Sequence, residues 1–270
     1  MGLLTDVFSY IEQRDLLKKP AIAIYYFAYN ALSDYEDMDS FLELKKLLFA
    51  NEAKFPTAEL SDIYLAGINF CIKRWNQGDR EIMKEIFQLY RAGLNVDVFL
   101  DNQIISRWTY NNIIIAGLLR KEYDWVKTFI YDYAERLPEE HREASFSYNL
   151  AKYYYEIGDY KQAMSLLQQV EYDDLLHIMG AKIILAKMYY ELTEVEALES
   201  LIKSAHAFIY RKKVLGYHKE VYLSIFGIFK KLMNINPHDK TALERLKMEI
   251  LEKKQLPEKD WLLLQVQKNL

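Results

Sequence analysis

One turn, repeated, constrains this chain more than any other feature. Four segments share its character: Gly78-Asp79, Lys121-Glu122-Tyr123, Gly158-Asp159-Tyr160 and Thr193-Glu194. The acidic residues stand at 79, 122, 159 and 194, hence 43, 37 and 35 residues apart. Ten residues before them stand Asn69, Asn112, Asn149 and then Ile184. An aromatic-rich stretch precedes each turn and an amphipathic one follows, with apolar residues three and four apart, the period of a helix. Regular spacing of this length is the mark of stacked supersecondary units, none of which buries its apolar face alone. The expectation is an all-α, stacked α-solenoid of about fourteen helices, with no segment that calls for a strand.

Composition supports this reading. The 270 residues include 9 Gly and 5 Pro, roughly 5% where an average chain carries roughly 12%. A sheet protein of this length needs many tight turns, and Gly and Pro build them. Hydrophobic residues make up 51% and charged residues 27%, which excludes wholesale disorder. Leu4, Val7, Phe8 and Ile11 begin the helical pattern, and Pro20 closes that segment and suits the first turn of a helix over about 20–33. No low-complexity tract divides the chain. We read one helical-repeat domain over 1–270: atypical helices at 1–56, four degenerate repeats at 57–212, and C-terminal helices with a polar capping helix at 213–270.

Residues 148–163, Tyr-Asn-Leu-Ala-Lys-Tyr-Tyr-Tyr-Glu-Ile-Gly-Asp-Tyr-Lys-Gln-Ala, carry a sharper pattern. They resemble the tetratricopeptide repeat. Leu150-Ala151 matches its large-small pair, Tyr154 its first-helix tyrosine, Gly158-Asp159-Tyr160 its turn and Ala163 its second-helix alanine, with Leu167 and Val170 at later packing positions. Small residues belong where paired helices approach closely, and Gly158 suits the unusual backbone of a helix end. Residues 185–198 are a weaker copy with Thr193 in place of the turn glycine. Around 79 and 122 the pattern degenerates further: Ile114 takes the small position, and Met83 and Val126 replace the alanine. The resemblance is specific over about 145–210, and it implies a right-handed superhelix whose first helices line a concave face. The whole chain is also similar to bacterial helical-repeat proteins, a likeness that carries no function with it.

Signatures of chemistry are missing. No segment matches a glycine-rich phosphate loop, HExxH or a nucleophile elbow. The histidines, His141, His177, His206, His218 and His238, never stand three or four apart, so no helix face offers two imidazoles to a metal. Glu139-Glu140 and Asp173-Asp174 suit helix N-termini. The single Cys71, between Phe70 and Ile72, reads as a buried thiol. We expect no enzyme activity, no cofactor and no metal. No apolar run spans a bilayer, and the N-terminus lacks the basic region of a secretory signal. Those features, with one cysteine, point to the cytoplasm and away from a membrane, and Met1-Gly2 ahead of amphipathic sequence leaves a piece of a longer chain open.

The implied concave face would carry Tyr148, Asn149, Lys152 and Tyr155 from the clearest unit, Ile183, Lys187 and Tyr190 from the next, and Asn112 in register. Amides serve a peptide backbone, lysines an acidic segment and tyrosines rigid contact area. The competing reading packs these tyrosines and asparagines between neighbouring repeats. The function expected is a protein- or peptide-binding scaffold, with a second copy of the chain also open as a partner. A regulatory repeat domain of a larger chain is the alternative. Residues 201–270 hold 14 Lys/Arg against 7 Asp/Glu although the whole chain carries −4. Arg211-Lys212-Lys213, between Tyr210 and Tyr217, therefore stands as an anion patch for RNA or phosphate, against the plainer reading of cations at a helix C-terminus. The net charge argues against a general nucleic-acid binder.

Overall fold

The computed structural model of the protein describes residues 2–169, 175–211, 216–253 and 255–270. It is all-α, with fourteen α-helices among the described residues. The chain forms two compact units, Met1–Asn149 and Leu150–Leu270. In the first lie α1 (Gly2–Gln13), α2 (Pro20–Ser33), α3 (Met38–Asn51), α4 (Thr57–Asn76), α5 (Met83–Asn95), α6 (Arg107–Leu119) and α7 (Tyr123–Asp132). Helix α8 (Glu139–Glu156) crosses the boundary. The second unit continues with α9 (Tyr160–Gln169), α10 (Leu175–Glu191), α11 (Val195–Arg211), α12 (Gly216–Asn234), α13 (Lys240–Glu252) and α14 (Lys259–Lys268). Consecutive helices pack on each other in both units: α2 on α3, α4 on α5 and α6 on α7, then α10 on α11 and α13 on α14.

The repeated turn is one structure made four times. Gly78, Lys121, Gly158 and Thr193 all adopt a left-handed backbone, with φ of 105°, 60°, 81° and 61°. The following acid's amide reaches back five residues to a helix carbonyl: Asp79 to Arg74 (3.1 Å), Glu122 to Gly117 (3.0 Å), Asp159 to Tyr154 (2.9 Å) and Glu194 to Tyr189 (2.8 Å). The left-handed residue's own amide donates three residues back, at 2.9–3.1 Å, to Trp75, Leu118, Tyr155 and Tyr190. This paired pattern satisfies carbonyls that a helix end leaves open. Asp159 then turns a carboxylate oxygen to the amide of Gln162 (3.2 Å), capping α9, and Asp79 accepts from the amide of Ile82 (3.3 Å) in the turn ahead of α5.

Small residues set the close approaches. Ala151 and Ala163 are fully buried. In the α6–α7 hairpin, where Ile114 and Val126 occupy the matching positions, Gly117 supplies the room: a Cβ there would overlap Val126 Cγ2 and lie 3.3 Å from Phe87. The small residue has moved to a different turn of the first helix. In the first unit Phe41 stacks on Phe70 at 4.7 Å, and Trp125 on Phe129 at 5.3 Å. The core of the second unit gathers Ile202, Ile225, Phe226, Phe229, Leu243 and Ile250.

Three findings depart from expectation or sharpen it. A two-residue ladder, β1 (Leu100–Asp101) and β2 (Ile104–Ile105), pairs Leu100 with Ile105 and Asp101 with Ile104. Asn102 and Gln103 turn it with φ of 49° and 66°, the double left-handed turn that matches strand twist; a ladder this short leaves no period-two pattern to read. The final helix packs one face on the core: α14 buries Leu262 and Val266 completely there and leaves Asp260, Gln267 and Lys268 exposed. Cys71 is fully buried, and burial pushes its thiol well above the ordinary range.

Candidate functional site

The second unit brings α8, α9, α10 and α14 together around one carboxylate. Glu191, the last residue of α10, accepts hydrogen bonds from Tyr155 Oη (2.9 Å) and Trp261 Nε1 (2.7 Å) at Oε1, and from Tyr160 Oη (2.6 Å) at Oε2. Tyr155 and Tyr160 stack at 5.6 Å, 12° from parallel. Burial raises the Tyr155 phenol far above its usual range, and the Glu191 charge adds to the effect. Tyr160 is pushed up to about 12 by burial and by its hydrogen bond to Glu191. Both phenols thus stay protonated donors at neutral pH.

One helical turn back along α10, Lys187 is 5% exposed and donates to Glu258 Oε2 at 2.7 Å. Its ammonium lies 4.4 Å from the centroid of the Tyr155 ring and 5.7 Å from that of Trp261, within cation–π range of both. Lys152, partly buried on α8, feels both neighbours. Burial, with a smaller contribution from the Lys187 charge, lowers its ammonium to about 8 against the opposing pull of Glu258. Tyr190 meets Trp261 edge-on at 5.6 Å.

The predicted stripe of Lys152, Tyr155, Lys187 and Tyr190 is therefore one spatial cluster, and the chain's own C-terminal helix lies against it. Glu258 and Trp261 stand where an external segment was expected. The asparagines do not form a row. Asn149 is fully buried on α8 and donates to Ser145 O at 2.9 Å, whereas Asn112 and Asn69 are exposed. Tyr148 is 9% exposed and Ile183 5%. Arg211 is exposed, Lys219 sits 5.0 Å over the ring of exposed Tyr210, and Lys212 and Lys213 lie outside the described residues, as do Asp173 and Asp174. Sequence reasoning missed Glu191, Glu258 and Trp261. For Glu191 there was a faint signal: it stands three residues before its turn acid, as Glu156 does before Asp159.

Two openings accompany this cluster. In the second unit a cleft of about 650 Å³ is lined by Tyr160, Tyr189, Tyr190 and Glu191 together with Leu198, Leu232 and Ile235. In the first unit an apolar groove of about 700 Å³ runs between α1, α2 and α4, lined by Val7, Phe8, Ile11, Tyr25, Tyr29 and Leu32. Val7, Tyr25, Tyr29 and Leu32 remain 37–49% exposed there. The hydroxyls of Tyr25 and Tyr26 donate to Glu59 and Glu12, and Asp62 lies on the wall. Among the described residues no three His, Cys, Asp or Glu side chains converge as a metal site, and no helix is long and apolar enough to cross a membrane. Comparison of the chain with protein-family models, with curated proteins and with solved structures finds no match.

Proposed function

We propose that this chain is a tetratricopeptide-like helical-repeat scaffold that binds another protein and performs no chemistry of its own. The observation that carries the reading is the open apolar groove between α1, α2 and α4. Four large side chains stay exposed along one channel, and contiguous apolar surface of this kind is costly to leave in water unless something covers it. The hydroxyls of Tyr25 and Tyr26 are already bonded to Glu59 and Glu12, so these two residues offer the groove their rings. A segment with apolar side chains fits it, and Glu12, Glu59 and Asp62 favour basic residues at its edges. The fourfold helix-end pattern supports the repeat assignment independently of the groove.

This reading shifts the docking surface away from the Lys152–Lys187 stripe, which α14 engages, and onto the first unit. The test is affinity purification from the source cell with the wild-type chain and with a Tyr29→Glu/Leu32→Glu variant. Both positions are exposed, so the variant retains its core. A stoichiometric companion held by wild type and lost from the variant is the expected result. Identical companions on both chains, or none on either, overturns the reading.

A further inference from the structure

The cleft of the second unit has a chemistry of its own. Glu191 lies in its wall, and the three donors that hold this carboxylate, Tyr155, Tyr160 and Trp261, are all neutral. Lys187, on the preceding turn, is committed to Glu258. Among the described residues no basic side chain forms an ion pair with Glu191, and Lys268 is the basic residue that shares its cleft. Its hydrogen-bonding capacity is not exhausted. Oε1 accepts two bonds and Oε2 one, and each carboxylate oxygen has two lone pairs. One acceptor site on Oε2 is left.

The surroundings reinforce the sign. Glu156 raises the phenols of both Tyr155 and Tyr160 electrostatically, so its charge reaches the same aromatic pair. Glu194 and Glu196 are exposed beside the cleft residues Thr193 and Val195. Of opposite sign, Lys268 lines the cleft too, with its ammonium 3.4 Å from Gln265 Oε1. Aromatic faces around a carboxylate attract ammonium groups through both charge and ring quadrupole. Leu198, Leu232 and Ile235 add aliphatic surface to the same lining.

From this juxtaposition we infer that the cleft is a binding site for a small organic ammonium compound. Its cationic head lies against Glu191 among Tyr160, Tyr189 and Tyr190, and its apolar tail lies along Leu198, Leu232 and Ile235. One N–H of the head fills the open acceptor site on Oε2. The volume of about 650 Å³ is that of a small-molecule pocket, which ordinarily spans roughly 300–1,000 Å³. The site is separate from the apolar groove of the first unit, so it stands whether or not that groove binds a protein.

The test is calorimetric titration of the full chain with hexylammonium chloride, with hexanol and hexanoate as probes of the same tail. Saturable binding of hexylammonium is expected, with the other two weaker by at least about tenfold, or 1.4 kcal/mol. Glu191→Gln removes the charge and retains an acceptor, and it should weaken hexylammonium by a similar factor. Val195→Lys, at an exposed position on the rim, places a like charge at the mouth without disturbing the tyrosine bonds and should also weaken it. Lys268→Ala, which removes a like charge from the wall, should strengthen it. The inference is overturned if hexylammonium shows no saturable binding in the millimolar range, if hexanoate binds as well, or if neither Glu191→Gln nor Val195→Lys changes the affinity. Should Glu191→Gln fail to fold, Val195→Lys and Lys268→Ala decide the matter by the opposite signs of their effects.

Discussion

The ammonium of Lys187 lies 2.7 Å from a carboxylate oxygen of Glu258, 71 residues further along the chain. The pair is unequal. The Lys187 side chain is 7% exposed and that of Glu258 36%, and Glu258 holds its place at the start of α14 with a left-handed backbone, φ 56°. Removing the acid leaves a buried cation without its partner, which is the expensive way to break an ion pair. Glu258→Gln should lower stability by about 1–3 kcal/mol, the lower end reflecting the exposure of the glutamate. Lys187→Met in that background should recover much of the loss. Urea unfolding of both single variants and the double variant measures the coupling, and additive losses would disprove it.

Lys152 gives the protein a pH dependence on the alkaline side. Burial lowers its ammonium to about 8, whereas an unfolded lysine titrates near 10.4. Between those values the unfolded chain holds a proton that the folded chain has released, so the lysine's contribution to stability rises with pH across that window. Below about pH 8 both states are charged and the burial cost is at its full value. Lys152→Met should therefore be more stable than wild type at about pH 7, and the gap should narrow by about pH 9.5. Urea unfolding at the two pH values checks the sign, and a gap independent of pH would disprove it.

The repeated turn predicts two opposite substitutions. Gly158 has φ 81° and no atom within 4 Å of where a Cβ would stand. Gly158→Ala therefore meets backbone strain without a clash, and about 1 kcal/mol of destabilisation is expected. Thr193 occupies the equivalent place with φ 61°, and a β-branched residue there is strained. Thr193→Gly should raise stability by about 1 kcal/mol. Urea midpoints shifted in opposite directions support a common turn, and a shared direction contradicts it.

Space, in contrast, separates two glycines inside helices. Gly117→Ala drives a methyl into Val126 and close to Phe87 and should cost about 1–3 kcal/mol. Gly227, on α12, has nothing within 4 Å of its added Cβ, so Gly227→Ala should stabilise by up to about 1 kcal/mol through helix propensity. Thermal unfolding midpoints distinguish them, and a gain in Gly117→Ala would show that the α6–α7 approach is looser than described.

The sequence by itself determined the local structure. Helical periodicity, the scarcity of Gly and Pro, and four acids at 79, 122, 159 and 194 were enough to place the helices and the turns between them. Those features are set by backbone geometry within a few residues, so they leave a readable trace; even Lys121 and Thr193, which lack a glycine's freedom, kept the turn because the following amides close the same hydrogen bonds. Which partner each side chain meets was decided by the tertiary structure. Lys152, Tyr155, Lys187 and Tyr190 share a helical stripe in the sequence, but no local rule shows that Glu258 and Trp261 come to rest against it. That encounter is set by the burial of Leu262 and Val266 in a core assembled from α10 to α14. Likewise, one register position holds a buried Asn149 and an exposed Asn112, because exposure depends on what packs over a helix, and that covering comes from residues distant in the chain.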